Sequence, residues 1–245
     1  MLAPSLFRSR DLGTVALLAA SLGAALGLHA AVLACAASGA VDLASDSLAW
    51  CAWVSLMCAF HLLEFALIAR AQPDDVSTQA FLLDHSAGFL AALALAVAEF
   101  WAERLLVPQL KRSDLGRSAS AAGLALALGG QAVRSLAMAQ AGSNFTHLVR
   151  TERVRGHELV RRGVYAHLRH PAYFGWFWWS IGTQLLLCNP VCVVAYAVAS
   201  WRFFADRIPD EERYLLGFFG DEYSSYARAT VIGIPFVDSP ARGAR

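Results

Sequence analysis

The chain has 245 residues, of which 57% are hydrophobic and only 16% charged, with a net charge of +1 and a mean hydropathy of +0.47. Soluble domains carry roughly 25% charged residues, so an ordinary water-soluble globule is excluded. Nineteen of the 20 basic residues are Arg, and six of them lie between Arg150 and Arg169, which is a local basic segment and not a nucleic-acid-binding composition.

From the N-terminus, Leu12 to Val41 is a run of 30 residues without a charge. The apolar core of a cleaved signal peptide is about 7 to 15 residues long, so this run reads as a first membrane span. Stretches of about 20 apolar residues predict spans near 12–37, 47–69, 86–106 and 118–141. Between Arg169 and Arg202 lie 32 residues without Asp, Glu, Lys or Arg, interrupted by Asn189-Pro190. A single helix of that length would run about 48 Å, with Pro190 as a kink. A helical hairpin at about 172–205, its second helix opening on Pro190, is the preferred reading, because proline at a first helical position forfeits no hydrogen bond.

The expected fold class is therefore an all-α integral membrane protein of about six transmembrane helices, with a C-terminal helical hairpin and a cytosolic pocket. Residues 1–141 would form the N-terminal spans and 142–245 the region carrying the chemistry. Six spans place Arg8, Arg10, Arg70, the Arg150–Arg169 cluster and the C-terminal tail in the cytosol, as the positive-inside rule asks. Lys111, Arg112 and Arg117 would fall outside, against that rule. Cys35, Cys51, Cys58, Cys188 and Cys192 sit in apolar runs without paired spacing and read as small buried hydrophobes, supporting neither a disulfide framework nor a metal site.

Polar side chains inside spans are costly and need partners; His61, Glu64, Glu99, Glu103, Gln131 and Arg134 are the cases here. His61 with Glu64, and Glu99 with Glu103, have helical spacing that puts each pair on one face. Interhelical hydrogen bonding and a substrate-lining role are both open to them. Trp176, Phe177, Trp178 and Trp179 read as an interfacial aromatic belt.

The C-terminal third differs in kind. Gly142-Ser-Asn-Phe-Thr-His147 leads into the basic stretch, then Gly163-Val-Tyr165, then Arg169-His-Pro-Ala-Tyr-Phe-Gly-Trp176. His170 precedes a proline and is pushed toward an extended conformation. Irregular polar backbone beside a membrane is tolerated where it packs in protein or lines a cavity. Farther on, Arg207 and Glu211 are four residues apart and share a face if the last helix continues past the membrane, which Pro209 opposes. A solvated ion pair is the plainer account of them. No GxSxG, P-loop, HExxH or GxGxxG motif is present.

These blocks resemble the isoprenylcysteine carboxyl methyltransferases, integral membrane enzymes of the endoplasmic reticulum that methylate the carboxylate of prenylated C-terminal cysteines. The resemblance is carried by GSNFTH at 142–147, GVYAHLRHPAYFGWFWWSIGTQLLLCNP at 163–190, WRFFADR at 201–207, Glu211-Glu212, FFGDEYSSY at 218–226 and Gly233-Ile-Pro235. A weaker echo runs upstream through Phe60-His61, Glu64, Phe81-Leu-Leu-Asp-His-Ser86 and Pro108. The resemblance implies S-adenosylmethionine as cofactor, held by Arg150, by His157, Glu158, Leu159 and Val160, by Tyr165, by His170, Pro171, Ala172 and Tyr173, and by Glu211. It implies Arg207 as the substrate contact, with Arg207 and Glu211 the two catalytic positions. Arg150 departs from the family, which has Gln there, and six spans are two fewer than the eight of animal members. Implied partners are prenylated CaaX proteins and the lipid bilayer, with no nucleic acid and no metal. A phospholipid amine methyltransferase, a sterol-reductase-like enzyme and a non-catalytic scaffold are the competing readings.

Overall fold

A computed structural model describes residues 9–83 and 86–243, so Arg8, Asp84 and His85 of the readings above lie outside the described residues. The chain order is α1 (Leu12–Ala37), α2 (Ser45–Ala71), α3 (Ala87–Leu106), α4 (Pro108–Arg112), α5 (Asp114–Ala141), α6 (Pro171–Leu186), α7 (Pro190–Phe219), α8 (Asp221–Ala229) and α9 (Pro240–Gly243). Short 3-10 turns fill parts of the connections. Helix starts follow local chemistry. Side chains of Asp11, Ser86 and Ser113 accept hydrogen bonds from Thr14, Phe89 and Gly116 N–H at the N-termini of α1, α3 and α5. Prolines occupy the first turns of α4, α6 and α7.

Among the described residues, Leu12–Ala37, Ser45–Ala71 and Asp114–Asn144 are long and apolar enough to cross a membrane. Asn189-Pro190 separates α6 from α7 at a turn, so the long uncharged run is two helices and not one kinked helix. The second helix outruns the expected end near 205, continuing through Pro209 to Phe219. Proline removes one backbone bond, but Phe204, Ile208 and Glu212 are each fully buried at i, i+4 and i+8, anchoring the helix on both sides of it.

The tightest contact is between α5 and α6, and glycine makes it possible. A Cβ on Gly130 would meet the Gly175 carbonyl and the Trp179 amide nitrogen, each at 2.6 Å. One on Gly123 would meet the Leu186 amide nitrogen at 2.2 Å, and one on Gly182 the Ala127 amide nitrogen at 2.6 Å. Small residues spaced along both helices thus let the backbones touch, which is how helices pack where water supplies no hydrophobic drive.

Two sequence expectations need correction, and the basic residues between α3 and α5 are paired. Lys111 is 2% exposed, and its three N–H groups are shared among Glu103 (2.7 Å), the carbonyls of Leu187 and Cys188 (2.8 and 2.9 Å) and Asn189 Oδ1 (3.0 Å). It ties off the α6–α7 turn, while Arg112 pairs with Asp46 at 3.1 Å and Arg117 pairs with Asp114. The aromatic run of α6 is core and not a belt. Consecutive residues turn by about 100°, so Trp179 stacks on Phe60 of α2 at 4.3 Å while Trp176 meets Phe203 and Phe204 of α7 edge-on. Of the cysteines, Cys58 and Cys192 are buried, Cys51 and Cys188 partly so, and Cys35 lies exposed on α1.

Most of the polar residues of the spans tie elements together, whereas Gln131 donates to Ser135 of its own helix at 3.0 Å. Glu99 accepts from the backbone N–H of Val191 and Cys192, both at 2.7 Å, capping α7, and Glu103 receives Lys111 on the same face. Glu64 of α2 takes two bonds from Arg134 of α5, at 2.5 and 2.9 Å. His61 Nδ1 lies 2.7 Å from the Phe81 carbonyl oxygen.

Candidate active site

The irregular segment 142–170 leaves α5 at Gly142, whose positive φ of 55° stops the helix, and runs into the N-terminus of α6 at Pro171. It is pinned at several points. Asn144 Oδ1 accepts from Glu158 N–H at 3.0 Å, Gln140 Oε1 accepts from Val164 N–H at 2.9 Å, and the Tyr226 hydroxyl donates to the Tyr165 carbonyl at 2.7 Å. A parallel bridge pairs Leu168 with Val231, fastening the end of the segment to the chain beyond α8.

Under this segment lies a solvent-open cavity with about 870 Å³ of atom-free space. Its wall contains Arg150, His157, Glu158, Leu159, Val160, Tyr165, His170, Pro171, Ala172, Tyr173 and Glu211. Every residue expected around a cofactor is therefore in one place. Sequence reasoning missed other residues of the wall, among them Asn144, Phe145, Leu215, Phe218, Phe219, Tyr223 and Tyr226. The aromatic-apolar pattern around Phe218 and Phe219 was visible, but nothing in it specified a cavity.

A smaller cavity of about 370 Å³ adjoins it, lined by Leu82, Arg134, Phe145, Thr146, His147, Tyr173, Trp176, Phe203, Phe204 and Arg207. Phe145, Thr146 and Tyr173 belong to both walls. Arg207 thus lies on the small cavity and Glu211 on the large one, one helical turn apart on α7. The Tyr173 hydroxyl stands between them, accepting from Arg207 Nε at 2.8 Å and donating to Glu211. Arg207 Nη2 also donates to the His147 carbonyl at 2.6 Å. These bonds engage Nε and Nη2 of the guanidinium, and Nη1 has no hydrogen-bond partner among the described residues.

Beneath this layer, Glu212 is fully buried and accepts from Arg169 Nε and Ser239 Oγ, both at 2.6 Å, with His170 Nε2 3.2 Å away. Burial alone would raise its carboxyl, but hydrogen bonds from His170, Ser239 and Arg169 outweigh it and hold the group down to about 2. His170, oriented by Glu212, stacks its ring on Tyr173 with the planes 5° apart. On the wall above, burial and the nearby charges of Arg150 and Arg153 push the His157 imidazole below its usual value, and burial pushes the Tyr165 and Tyr223 hydroxyls up.

Three polar atoms of the large cavity, Arg150 Nε, His157 Nδ1 and Tyr223 Oη, are buried without a hydrogen-bond partner among the described residues. Unsatisfied buried groups are costly, so they fit a polar guest that completes them. A guest with an anionic end suits Arg150, a flat ring suits Leu159, Leu215 and the Phe218–Phe219 wall, and a cationic centre suits the Glu211 carboxylate.

Comparison with known proteins identifies the family. The family model for the isoprenylcysteine carboxyl methyltransferase family matches residues 123–217. Protein-S-isoprenylcysteine O-methyltransferase from Dictyostelium discoideum is 45% identical over 179 residues, covering 73% of this chain and 74% of that protein. The human protein of the same name is 44% identical over 178 residues, which are 62% of its length, and protein-S-isoprenylcysteine O-methyltransferase B from Arabidopsis thaliana is 42% identical over 89% of its length. The solved structure of a eukaryotic intramembrane Ras methyltransferase, an isoprenylcysteine carboxyl methyltransferase, superposes with a TM-score of 0.84 at 40% identity, covering 92% of this chain and 77% of that one.

Proposed function

From the premise that this chain belongs to the isoprenylcysteine carboxyl methyltransferase family, whose members are membrane enzymes, we propose that it methylates the C-terminal carboxylate of prenylated cysteines in CaaX-processed proteins. S-adenosylmethionine is the donor in this reading. The observation that carries it is the Tyr173 hydroxyl, which joins Arg207 in a small, largely apolar cavity to Glu211 in a larger one with more polar groups on its wall. That is the arrangement a reaction between a lipidated anion and a cationic methyl donor requires. We place the enzyme in the endoplasmic reticulum membrane, with α1, α2, α3, α5, α6 and the first part of α7 as six spans and the large cavity toward the cytosol.

S-adenosylmethionine supplies an electrophilic methyl on a sulfonium centre. The residues of this chain do the rest. The acceptor carboxylate is ionised at neutral pH, so no general base is needed. Arg207 offers its Nη1/Nη2 end as a planar fork for that carboxylate, held rigid by Tyr173 and His147. Glu211 and the Tyr173 ring present negative charge and π-density to the cationic side, Arg150 takes the donor's carboxylate, and His157 to Val160 with Tyr165, His170, Pro171 and Ala172 shape its seat. Leu82, Trp176, Phe203 and Phe204 keep water from the acceptor, which strengthens the nucleophile.

Transfer of labelled methyl from S-adenosylmethionine to N-acetyl-S-farnesylcysteine, in membranes expressing this chain, tests the proposal. Methylation of the farnesylated acceptor and none of N-acetylcysteine is the expected result. Burial of a prenyl chain at about 0.8 kcal/mol per CH₂ separates the two acceptors by orders of magnitude. Equal rates with and without the lipid contradict it.

A further inference from the structure

His147 is held in a defined state beside Arg207. Its Nε2 lies 2.8 Å from Oε2 of Glu64, a carboxylate 1% exposed on α2 that also receives Arg134. A carboxylate only accepts, so the proton sits on Nε2, and in the neutral ring Nδ1 is then a bare acceptor. Burial, with the charges of Arg134 and Arg207 in support, pushes the imidazole below the usual histidine value in spite of Glu64, which favours the neutral ring. Nδ1 has no hydrogen-bond partner among the described residues, and the ring, 22% exposed, lines the small cavity.

We infer that Nδ1 of His147 accepts the amide N–H of the prenylcysteine whose carboxylate Arg207 holds, an assignment that rests on the function proposed above. The backbone carbonyl of His147 takes Arg207 Nη2 at 2.6 Å, and both residues line the small cavity. In a C-terminal cysteine the amide nitrogen and the carboxylate are attached to one carbon, and two neighbouring groups of the enzyme are what such a pair calls for. Of the other polar side chains on this cavity, Arg134 and Arg207 only donate. The Thr146 hydroxyl is directed onto the Leu148 carbonyl at 2.6 Å, and the Tyr173 hydroxyl is committed to Arg207 and Glu211. His147 Nδ1 is the open nitrogen acceptor beside Arg207, and the oxygen lone pairs of Thr146, whose proton is given to Leu148, are the other side-chain acceptor on this wall. Since the carboxylate needs no deprotonation, His147 serves recognition: it distinguishes an acylated, peptide-linked cysteine from an acceptor without the N–H.

The test compares N-acetyl-S-farnesylcysteine with 2-acetoxy-3-(farnesylthio)propanoate, in which an ester oxygen replaces the N–H and the shape is kept. Both are assayed on the same membrane preparation, so the ratio of their kcat/KM values is independent of how much enzyme is folded. Wild-type enzyme is expected to prefer the amide about tenfold, the worth of one hydrogen bond of ordinary strength. His147→Ala should bring the ratio near one, and His147→Asn, whose Oδ1 falls where Nδ1 does, should restore the preference. A wild-type ratio near one overturns the inference without recourse to any variant, as does an undiminished preference in His147→Ala. Methylation of neither acceptor by the wild type would overturn the proposed function, and this inference with it.

Discussion

Arg207 and Glu211, one turn apart on α7, are joined through a single hydroxyl: Tyr173 accepts a hydrogen bond from Arg207 Nε at 2.8 Å and gives one to Glu211. The two charges therefore reach into different cavities while their positions stay coupled. A solvated ion pair, the plainer account of their spacing, would have left both side chains at the surface and worth under about 1 kcal/mol.

Arg207→Lys is expected to raise the KM for the prenylated acceptor by one to two decades with little change for S-adenosylmethionine, because lysine keeps the charge and loses the fork. Glu211→Gln should do the reverse, raising the donor's KM. A charge-assisted bond is worth about 1.5 to 3 kcal/mol, which sets that scale. Tyr173→Phe, removing the shared hydroxyl, should impair both constants. Steady-state kinetics on all three variants at matched expression checks this, and normal kinetics would return the pair to a structural role.

Asn144 holds the backbone of Glu158 in place at 3.0 Å and lies on the wall of the large cavity. Asn144→Ala should loosen the His157–Val160 strip and raise the donor's KM about three- to tenfold, the worth of one side-chain-to-backbone bond, while the acceptor's KM stays put. Asn144-Phe-Thr146 is also a glycosylation sequon. Mass spectrometry of protein from a eukaryotic host should find Asn144 bare, and a glycan there would place this cavity in the lumen.

Gly130→Ala should lower thermal stability in detergent by several degrees or prevent folding, since its methyl would strike the Gly175 carbonyl and the Trp179 nitrogen at 2.6 Å, and backbone cannot step aside. Gly129→Ala is the control. A Cβ there meets nothing within 4 Å, so the change should be neutral or stabilise the helix by about 0.5 to 1 kcal/mol.

Acid should weaken the layer beneath the site. The Glu212 carboxyl is held down to about 2 in the folded chain against an ordinary value of 4.5. A lowered folded value means its stabilisation is fully present above about 4.5 and is lost as pH falls from there through about 2. Thermal unfolding followed across that window should show a slope, and Glu212→Gln should flatten it. That variant should also cost about 3 to 5 kcal/mol at neutral pH, because it leaves Arg169 buried without its counter-ion.

Much was legible in the residues alone. Long apolar runs marked the helices that became α1, α2, α3 and α5. Asn189-Pro190 marked the break between α6 and α7, and the blocks around His170 and Glu211 marked the residues that line the large cavity. These are local properties: a helix of apolar residues, a proline at a first turn and a motif along one segment need no knowledge of what packs against them.

What the tertiary structure decided was direction. Glu211 and Glu212 are neighbours of identical chemistry, yet about 100° of helical rotation sends one to the cavity and the other, fully buried, to Arg169 and His170. Lys111 looked like a loop charge and is instead the tie of the α6–α7 turn, because α4 aims it inward at four oxygens. The bridge through Tyr173 and the state of His147 arise in the same way, from α2, α5, α6 and α7 converging on one point. Sequence determines which faces a helix can offer, but only packing, here set by glycines that let α5 and α6 touch, determines what each face meets.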